Sequence, residues 1–217
     1  MNATTRPNAL IAVRERRTRA GTQEKLDHVL ASAADLIAEK GFEATSMRDV
    51  SAAVGISLAG LYHYFESKEE LLYQLQYRTF RSLLETQEAI AAQPGTREER
   101  FRRLIIGHLT FFADHASEHQ ACTFELKSLT GERYETVEAL RRRYYRLMTS
   151  VVAELRDGGV TATESKEARH AALFIFGMLN WVFMWYSASR YGPMEQMGEE
   201  MVDLVLHGLR GTGAEGT

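Results

Sequence analysis

The sequence of 217 residues has one cysteine and three prolines, and it lacks an apolar stretch long enough to cross a lipid bilayer. Because the single cysteine, Cys122, cannot form a disulfide within the chain, a reducing compartment is favoured. The longest apolar stretch, residues 171–186, has 16 residues, whereas a membrane-spanning helix needs roughly 20. Met1 is not followed by the basic and then apolar segments of a secretion signal. We therefore expect a soluble, cytoplasmic protein without a membrane partner.

Motifs that carry catalytic chemistry are also missing. There is no glycine-rich phosphate loop, no Gly-x-Ser-x-Gly turn and no strand pattern of a dinucleotide-binding fold. His115 and His119 lie one helical turn apart, near Glu118 and Cys122, so a metal-dependent enzyme is the alternative from another functional class. Paired cysteines and a His-Glu-x-x-His motif are absent, however. We expect no enzymatic activity, no cofactor and no metal site.

Long segments rich in Ala, Leu, Glu and Arg predict an all-α fold of about nine helices, three short ones followed by six longer ones. Thr45 and Ser57 are predicted N-caps of two short helices, and Ser67–Glu70 and Thr96–Glu99 are predicted capping boxes. Glycine and proline mark most of the helix ends. The predicted helices cover approximately residues 22–40, 45–54, 57–64, 67–92, 96–114, 117–129, 132–156, 163–189 and 193–209.

Helix length and charge divide the chain into regions. Residues 1–21, with five arginines, are predicted to form a disordered basic tail. Residues 22–66 hold the three short helices, and residues 67–217 form a C-terminal helical bundle. The net charge is −3, but residues 1–68 carry nine Lys/Arg and eight Asp/Glu, so the acidic excess lies in the remainder. A mildly basic end on an acidic body is compatible with contact to phosphates.

Residues 45–64 have the layout of a helix-turn-helix. Gly55 supplies a turn conformation with positive φ between two short helices, and Val50, Val54, Ile56 and Leu61 are spaced to pack the pair together. In such a motif the second helix enters the major groove of DNA. The outward residues of that helix are small or hydrogen-bonding.

The same segment resembles the signature of the TetR/AcrR family of transcriptional regulators. The resemblance covers residues 23–72 and implies a dimeric repressor that binds a palindromic operator and is released by a small molecule. The family often has lysine where this chain has Leu58. The matching residues are Gly55-Ile56-Ser57, Leu61-Tyr62-His63-Tyr64-Phe65 and Ser67-Lys68-Glu69.

The resemblance also implies roles for individual residues. The hydroxyls of Thr45 and Ser46 and the guanidinium of Arg48 would contact phosphates near the first helix of the motif. Tyr64 and Lys68 would contact phosphates near the second helix. Tyr62 and His63 would meet the groove, while Phe65 would pack in the core. Alternatively, either Tyr62 or Tyr64 packs in the core instead of contacting DNA. The predicted DNA-binding residues are Thr45, Ser46, Arg48, Ser57, Leu58, Ala59, Tyr62, His63, Tyr64 and Lys68.

The predicted helix of residues 163–189 contains a segment, residues 172–186, that is apolar nearly all round and must be buried on every side. Asn180 is the one strongly polar residue of this apolar segment, and it either forms a helix–helix hydrogen bond or contacts a ligand. Aromatic and methionine side chains here either form ordinary core or line an apolar cavity. The predicted ligand-binding residues are Phe111, Phe112, Phe124, Arg141, Tyr145, Met148, Phe174, Met178, Asn180, Trp181, Met184 and Trp185.

Glu125, the Arg141–Tyr144 segment and the Gly177–Trp181 segment are similar to a subset of the family that senses acyl-CoA thioesters. This implies an acyl-CoA or a related apolar or aromatic acid as effector. A repressor of an efflux operon that senses lipophilic drugs is the alternative. Five arginines are predicted either to bind the phosphates of the effector at the cavity mouth or to form a solvated face. They are Arg102, Arg103, Arg141, Arg142 and Arg143.

The last two predicted helices are expected to form a homodimer interface. Their apolar residues need more partners than one small domain offers. An architectural DNA-binding protein without a ligand is disfavoured by the large aromatic-rich second domain.

Overall fold

A computed structural model describes the backbone of residues 7–157 and 165–208 and the side chains of residues 21–156 and 165–208. The described residues are helical, as predicted, and contain no strand. Short 3₁₀ segments follow α6 and α8, at Leu126–Ser128 and Val182–Met184. The helices are α1 Pro7–Lys40, α2 Met47–Ala53, α3 Leu58–Tyr62, α4 Lys68–Ala91, α5 Arg97–Ala113, α6 Ala116–Phe124, α7 Gly131–Asp157, α8 Lys166–Trp181, α9 Ala188–Tyr191 and α10 Met194–His207.

The start of α1 corrects the predicted disordered tail. The helix begins at Pro7, where a missing backbone N–H costs nothing, and it continues through Gly21. The residues between them are mainly Ala, Leu and Arg, which favour helix and outweigh the single glycine. The rest of the predicted tail, residues 1–6, lies outside the described residues.

The N-terminal head, residues 22–66, shares its core with the following domain. Val29, Ala33, Val50, Leu61 and Phe65 are buried in one cluster, and Phe65 has the core role expected of it. The first turns of α4 join this cluster, together with side chains of α6 and α7. The head is therefore fixed directly against the C-terminal bundle.

A second core lies inside the C-terminal bundle, where α5 is surrounded by α4, α7, α8 and α10. Phe101, Leu104, Ile105 and Leu109 of α5 are buried in it. Gly198 of α10 lies so close to α5 that a Cβ there would be 2.8 Å from a side-chain carbon of Ile106. The α10 backbone thus packs directly on α5.

The apolar segment 171–186 is a shorter helix than predicted. α8 ends at Trp181, and the chain continues through a 3₁₀ turn and the short helix α9 instead of one helix to residue 189. β-branched and aromatic residues around 182–186 are weak helix formers. The Tyr186 hydroxyl also donates to the Gly192 carbonyl at 2.7 Å, which stabilises the turn.

Side-chain caps are present at the starts of five of the ten helices given above, namely α2, α3, α4, α5 and α8. The predicted box at Thr96–Glu99 is present. At Ser67 only half of the predicted box forms, since the Ser67 hydroxyl accepts from the Glu70 N–H while the Glu70 carboxylate pairs with Arg133 at 2.6 Å. None of the described helices combines the length and apolarity needed to cross a bilayer.

Candidate DNA-binding and effector-binding sites

The start of α2 is built by Ser46 and Asp49. The Ser46 hydroxyl accepts from the Asp49 N–H, and the Asp49 carboxylate accepts from the Ser46 N–H at 2.8 Å. Hydrogen bonds from Ser46 and the Lys40 ammonium at 2.9 Å lower the pKa of Asp49 to about 2. Ser46 and Arg48 are exposed at this helix start, which suits contact with a phosphate.

Thr45 does not have its predicted role. It is buried, and its hydroxyl donates to the Gly41 carbonyl at 2.8 Å, so it stabilises the end of α1. Ser46, one residue later, is the N-cap of α2. The prediction failed because two adjacent hydroxyl residues fit the same cap pattern. Thr45 is therefore not available to DNA.

The second helix of the motif, α3, starts at the predicted cap. The Ser57 hydroxyl accepts from the Gly60 N–H at 3.0 Å. Ser57, Ala59, Tyr62 and His63 are exposed, and Tyr62 keeps 48% of its surface accessible. Leu58 and Tyr64 are half-buried and pack against the head core. The exposed four, with Ser46 and Arg48 at the start of α2, remain the predicted DNA-contacting residues.

Lys68 is engaged within the protein rather than free for a phosphate. Its ammonium donates to the Phe42 carbonyl at 2.9 Å and the Glu43 carbonyl at 3.3 Å. It also lies 4.3 Å from the centre of the Phe42 ring, a cation–π contact. Lys68 thus ties the start of α4 to the turn between α1 and α2, which sequence spacing alone could not indicate.

A cavity of about 320 Å³ lies between α4, α5, α6, α7 and α8. Four predicted ligand-binding residues line it, namely Phe112, Arg141, Tyr145 and Asn180. The other residues of its wall are Phe80, Leu83, His108, His119, Cys122, Thr123, Glu138, Arg142, Tyr144, Leu173 and Phe176.

The remaining eight predicted ligand-binding residues do not line this cavity. Met148 is fully buried core, Met178 packs partly against that core, and Phe111 lines a separate groove beside α1. The other five lie on the surface, Phe124 at the end of α6 and four in or just after α8, which turns one apolar face outward and ends early. Their exposed fractions are 49% for Phe124, 71% for Phe174, 54% for Trp181, 52% for Met184 and 45% for Trp185.

The cavity wall contains a buried polar group that the sequence analysis missed. His108 Nδ1 is 2.8 Å from the Tyr144 hydroxyl, and His119 Nε2 is 3.5 Å from Asn180 Oδ1. The available signal was His108 on the apolar stripe of α5, one turn from Leu104 and from Phe112. Asn180 approaches His119 of α6 and also lines the cavity, so both roles left open for it stay predictions.

Burial keeps both imidazoles uncharged. Desolvation, with a smaller effect from His119, lowers the pKa of His108 to about 3. Desolvation also lowers the pKa of His119 to about 4, against a small opposing effect of Asn180. Burial raises the pKa of the Cys122 thiol to about 12, so this cysteine is not a nucleophile.

Four of the five predicted arginines contact a carboxylate or a backbone carbonyl, and Arg141 is the exception. Arg102 pairs with Glu199 and Asp203, and Arg103 donates to the carbonyls of Gln93 and Pro94. Arg142 pairs with Glu138, and Arg143 with Glu88. Arg141 lies over the Phe80 ring and, among the described residues, has no carboxylate within ion-pair distance. Arg102, Arg103 and Arg143 do not line the cavity, which corrects their predicted place.

Two family models match the chain. The model for "Bacterial regulatory proteins, tetR family" matches residues 29–75, and the model for "Tetracyclin repressor-like, C-terminal domain" matches residues 94–209, more than half of the chain. The chain belongs to the TetR family of transcriptional regulators. It is a helix-turn-helix repressor of the DNA- and ligand-binding type, and the family is not enzymatic.

Individual TetR-family proteins are similar over nearly their whole length. The fatty acid metabolism regulator protein of Bacillus subtilis is 21% identical over 189 residues, 85% of this chain and 95% of that protein. A TetR-family regulator from Bordetella parapertussis 12822 has 26% identity and a TM-score of 0.80 over 85% of this chain and 95% of that one. AibR, solved with isovaleryl coenzyme A and operator DNA, has 24% identity and a TM-score of 0.73 over 83% and 97%.

The metal-enzyme alternative rested on His115 and His119. His115 is exposed with its Nδ1 2.7 Å from the Phe111 carbonyl oxygen, whereas His119 is buried and turned towards the cavity wall. In the described part of the chain, no three His, Cys, Asp or Glu side chains come together as metal ligands would. The two histidines therefore do not share a ligand position.

The contacts of Lys68 predict a loss of stability rather than a loss of one phosphate contact. Lys68→Ala should lower the free energy of unfolding by about 1–3 kcal/mol, because the part-buried Phe42 carbonyl and the exposed Glu43 carbonyl lose a charged donor. Arg48→Ala should instead keep the melting temperature and lower the slope of log affinity against log salt by about 1. Melting curves and operator titrations at several salt concentrations separate the two. A Lys68→Ala protein that melts normally with a reduced salt slope would restore the phosphate role.

The lowered pKa values of His108 and His119 predict acid sensitivity. Between the ordinary pKa of 6.5 and the folded values of about 3 and 4, the unfolded chain binds protons that the folded chain does not. Stability is therefore lost as the pH falls below 6.5, by about 1.4 kcal/mol per pH unit for each histidine. Melting temperatures measured from pH 7 to pH 5 should fall less steeply for His108→Leu than for the unaltered protein. His28→Gln, at an exposed position, is the control, and equal slopes for all three proteins would contradict this assignment.

Proposed function

We propose that this TetR-family protein binds a palindromic operator as a homodimer and leaves it when an acyl-CoA thioester enters the C-terminal cavity. The observation that carries the proposal is the cavity of about 320 Å³ beside a head with an exposed recognition face. A ligand there can act on DNA binding only by favouring the arrangement that does not fit the operator.

Cavity size supports an acyl group as the buried part of the effector. A cavity of about 150 Å³ holds benzene, so 320 Å³ holds roughly twelve non-hydrogen atoms. This suits an acyl chain or a small ring system, but not the coenzyme A portion. Arg142 and Leu173 are the exposed members of the wall, so the coenzyme would extend past them. The half-buried guanidinium of Arg141 offers an anion contact on the same helix as Arg142.

Two relatives support the acyl-CoA class. One is named as a regulator of fatty acid metabolism, and AibR was solved with isovaleryl coenzyme A. The aromatic wall of the cavity would also suit a lipophilic drug, so an efflux regulator remains the alternative for the test.

The path from cavity to head runs along α6. His119, Cys122 and Thr123 of this helix line the cavity. Between and beyond them, the Gln120 amide donates to the Ala38 carbonyl at 2.8 Å, and the Glu125 carboxylate accepts from the Phe42 N–H at 3.1 Å. A ligand that displaces α6 would therefore disturb the end of α1 and the turn before α2.

Homodimerisation is supported by the outward face of α8. Phe174, Trp181 and Met184 each leave about half or more of their surface exposed, and the space over Gly177 is open. A contiguous apolar surface of this kind is typical of an interface. A second copy is the fitting occupant, since one short recognition helix reads too few bases alone and two related by a two-fold axis read a palindrome.

Operator release tests the effector. A DNA fragment selected from a random library serves as operator, and its fluorescence anisotropy is followed with acyl-CoAs of increasing length, their free acids, coenzyme A and a set of lipophilic drugs. Acyl-CoAs with up to about twelve non-hydrogen acyl atoms should release DNA at concentrations at least about tenfold lower than the free acids. Release by the drugs, with no response to any thioester, would contradict the acyl-CoA proposal and favour the alternative.

A charge on the α8 face should separate the dimer. We expect Phe174→Glu to give a folded monomer with weakened operator binding, because two carboxylates would be buried at a two-fold contact. Light scattering with size-exclusion chromatography gives the mass, and circular dichroism gives the helix content. Tyr134→Glu, which places the same charge at an exposed aromatic residue of α7, should stay dimeric. A Phe174→Glu protein that remains a DNA-binding dimer would exclude this face.

A further inference from the structure

The inner wall of the cavity has four polar side chains, and two of their nitrogen atoms have no hydrogen-bond partner. His108, His119 and Tyr144 are almost fully buried, and Asn180 is half-buried beside them. Neither His108 Nε2 nor His119 Nδ1 has a hydrogen-bond partner, and both atoms are out of reach of solvent. A buried donor or acceptor without a partner costs about 1–3 kcal/mol. A purely structural core at this place would be better filled by apolar side chains.

The hydrogen bonds fix what the His108 nitrogen offers. A neutral imidazole carries one N–H, on either Nδ1 or Nε2. If the Tyr144 hydroxyl donates to Nδ1 at 2.8 Å, both groups of that contact are satisfied and the proton lies on Nε2. The reverse assignment would leave the Tyr144 proton without an acceptor as well. His108 Nε2–H is therefore an unused donor.

His119 offers the complementary group. Its Nε2 is nearest to the Asn180 side-chain oxygen, which only accepts, so Nε2 carries the proton and Nδ1 is an unused acceptor. The two rings meet edge to face with their centres 6.1 Å apart. A free donor and a free acceptor thus lie in neighbouring rings of the same wall. A hydroxyl group is the simplest partner for both, since its oxygen accepts and its proton donates, and the rings must turn to present these covered nitrogens to it.

We infer that this inner wall recognises an uncharged oxygen, above all a hydroxyl, on the buried part of the effector, with His108 and His119 as the specificity-determining residues. The inference rests on the proposed function, because it specifies the acyl group that the cavity takes. The preferred effector is then an oxygenated acyl group rather than a plain hydrocarbon chain.

Charge excludes a carboxylate at this position. Burial keeps both imidazoles neutral at physiological pH, so neither supplies a positive charge to offset a buried anion. The cations of the wall are Arg141, which lies over Phe80 on a half-buried part of α7, and Arg142, which is exposed and pairs with Glu138. The wall therefore separates a site for an anionic or strongly polar group from a site for a neutral oxygen.

Matched ligand pairs test the inference. Octanoyl-CoA is compared with octanoyl-CoAs hydroxylated at carbon 3, 5 or 8, and methyl octanoate is compared with the corresponding hydroxylated methyl esters. Operator release and the ligand-induced shift in melting temperature are both measured. At least one hydroxylated compound should act at about tenfold lower concentration than its plain partner. This preference should vanish in His108→Phe, return in part in His108→Gln, which keeps a hydrogen-bonding amide, and persist in Leu104→Met, a change in the α5 core outside the cavity.

The two ligand series distinguish the two ideas. A hydroxyl preference among the methyl esters alone, with no response to thioesters, would support the polar wall and refute the acyl-CoA proposal. Release by the thioesters without any hydroxyl preference would do the reverse. Absence of binding by every compound in both assays would overturn both. A melting curve for each variant shows whether it is folded, and binding of plain octanoyl-CoA by His108→Phe shows whether its cavity is intact.

Discussion

The second domain holds the backbone of Phe42 through both its N–H and its carbonyl group. The position of the recognition helix depends on these two hydrogen bonds. The Phe42 N–H donates to Glu125, and the Phe42 carbonyl accepts from Lys68 at the start of α4. The other Glu125 oxygen accepts from the Ser128 hydroxyl at 2.9 Å, which orients the carboxylate. Gly41, with φ of +83°, makes the turn that brings Phe42 into this position. Both bonds involve a charged group, so they are among the stronger contacts between head and bundle.

The helix α6 connects this turn to the cavity by its two faces. Its cavity side carries His119 and Cys122, while Gln120 contacts the α1 backbone and the Ala121 carbonyl accepts from Gln76 of α4 at 3.3 Å. A packed helix moves as a unit, since its interior neighbours leave little free volume. A shift that suits a ligand at His119 would therefore alter hydrogen bonds to α1 and α4 together. This is a contiguous physical connection of the kind that coupling between distant sites requires.

Local chemistry was predictable from the sequence, and long-range contacts were not. The Ser57 cap, the Thr96–Glu99 box and the Gly55 turn each depend on residues within a few positions, and each is present. Lys68 was assigned to DNA by the family resemblance, and its partners, the carbonyls of Phe42 and Glu43, could not be inferred because they lie 26 and 25 positions earlier in the chain.

The proposed effector cavity was also not predictable, because it is formed by residues that are far apart in the sequence. The apolar stretch 171–186 predicted burial but could not say against what, so Trp181 was assigned to the cavity although it faces outward. The cavity residues His108, His119 and Tyr144 come from three different helices, and only their packing brings them together. The regular pattern of a single helix carries no record of such a meeting. A histidine on an apolar stripe is the most that the sequence offers.

The positions of the two cavity histidines give them different consequences for regulation. His108 belongs to α5, in the middle of the bundle core, and Tyr144 holds its ring. A hydrogen bond to His108 would stabilise the bound ligand equally in both arrangements of the head, so it would add affinity without shifting the equilibrium. His119 belongs to α6, which bonds to the head through Gln120 and Glu125. A bond to His119 is stronger or weaker according to where α6 lies, and only such a difference moves the population towards release. Selectivity for the effector and the response to it would thus depend on neighbouring rings of one cavity wall.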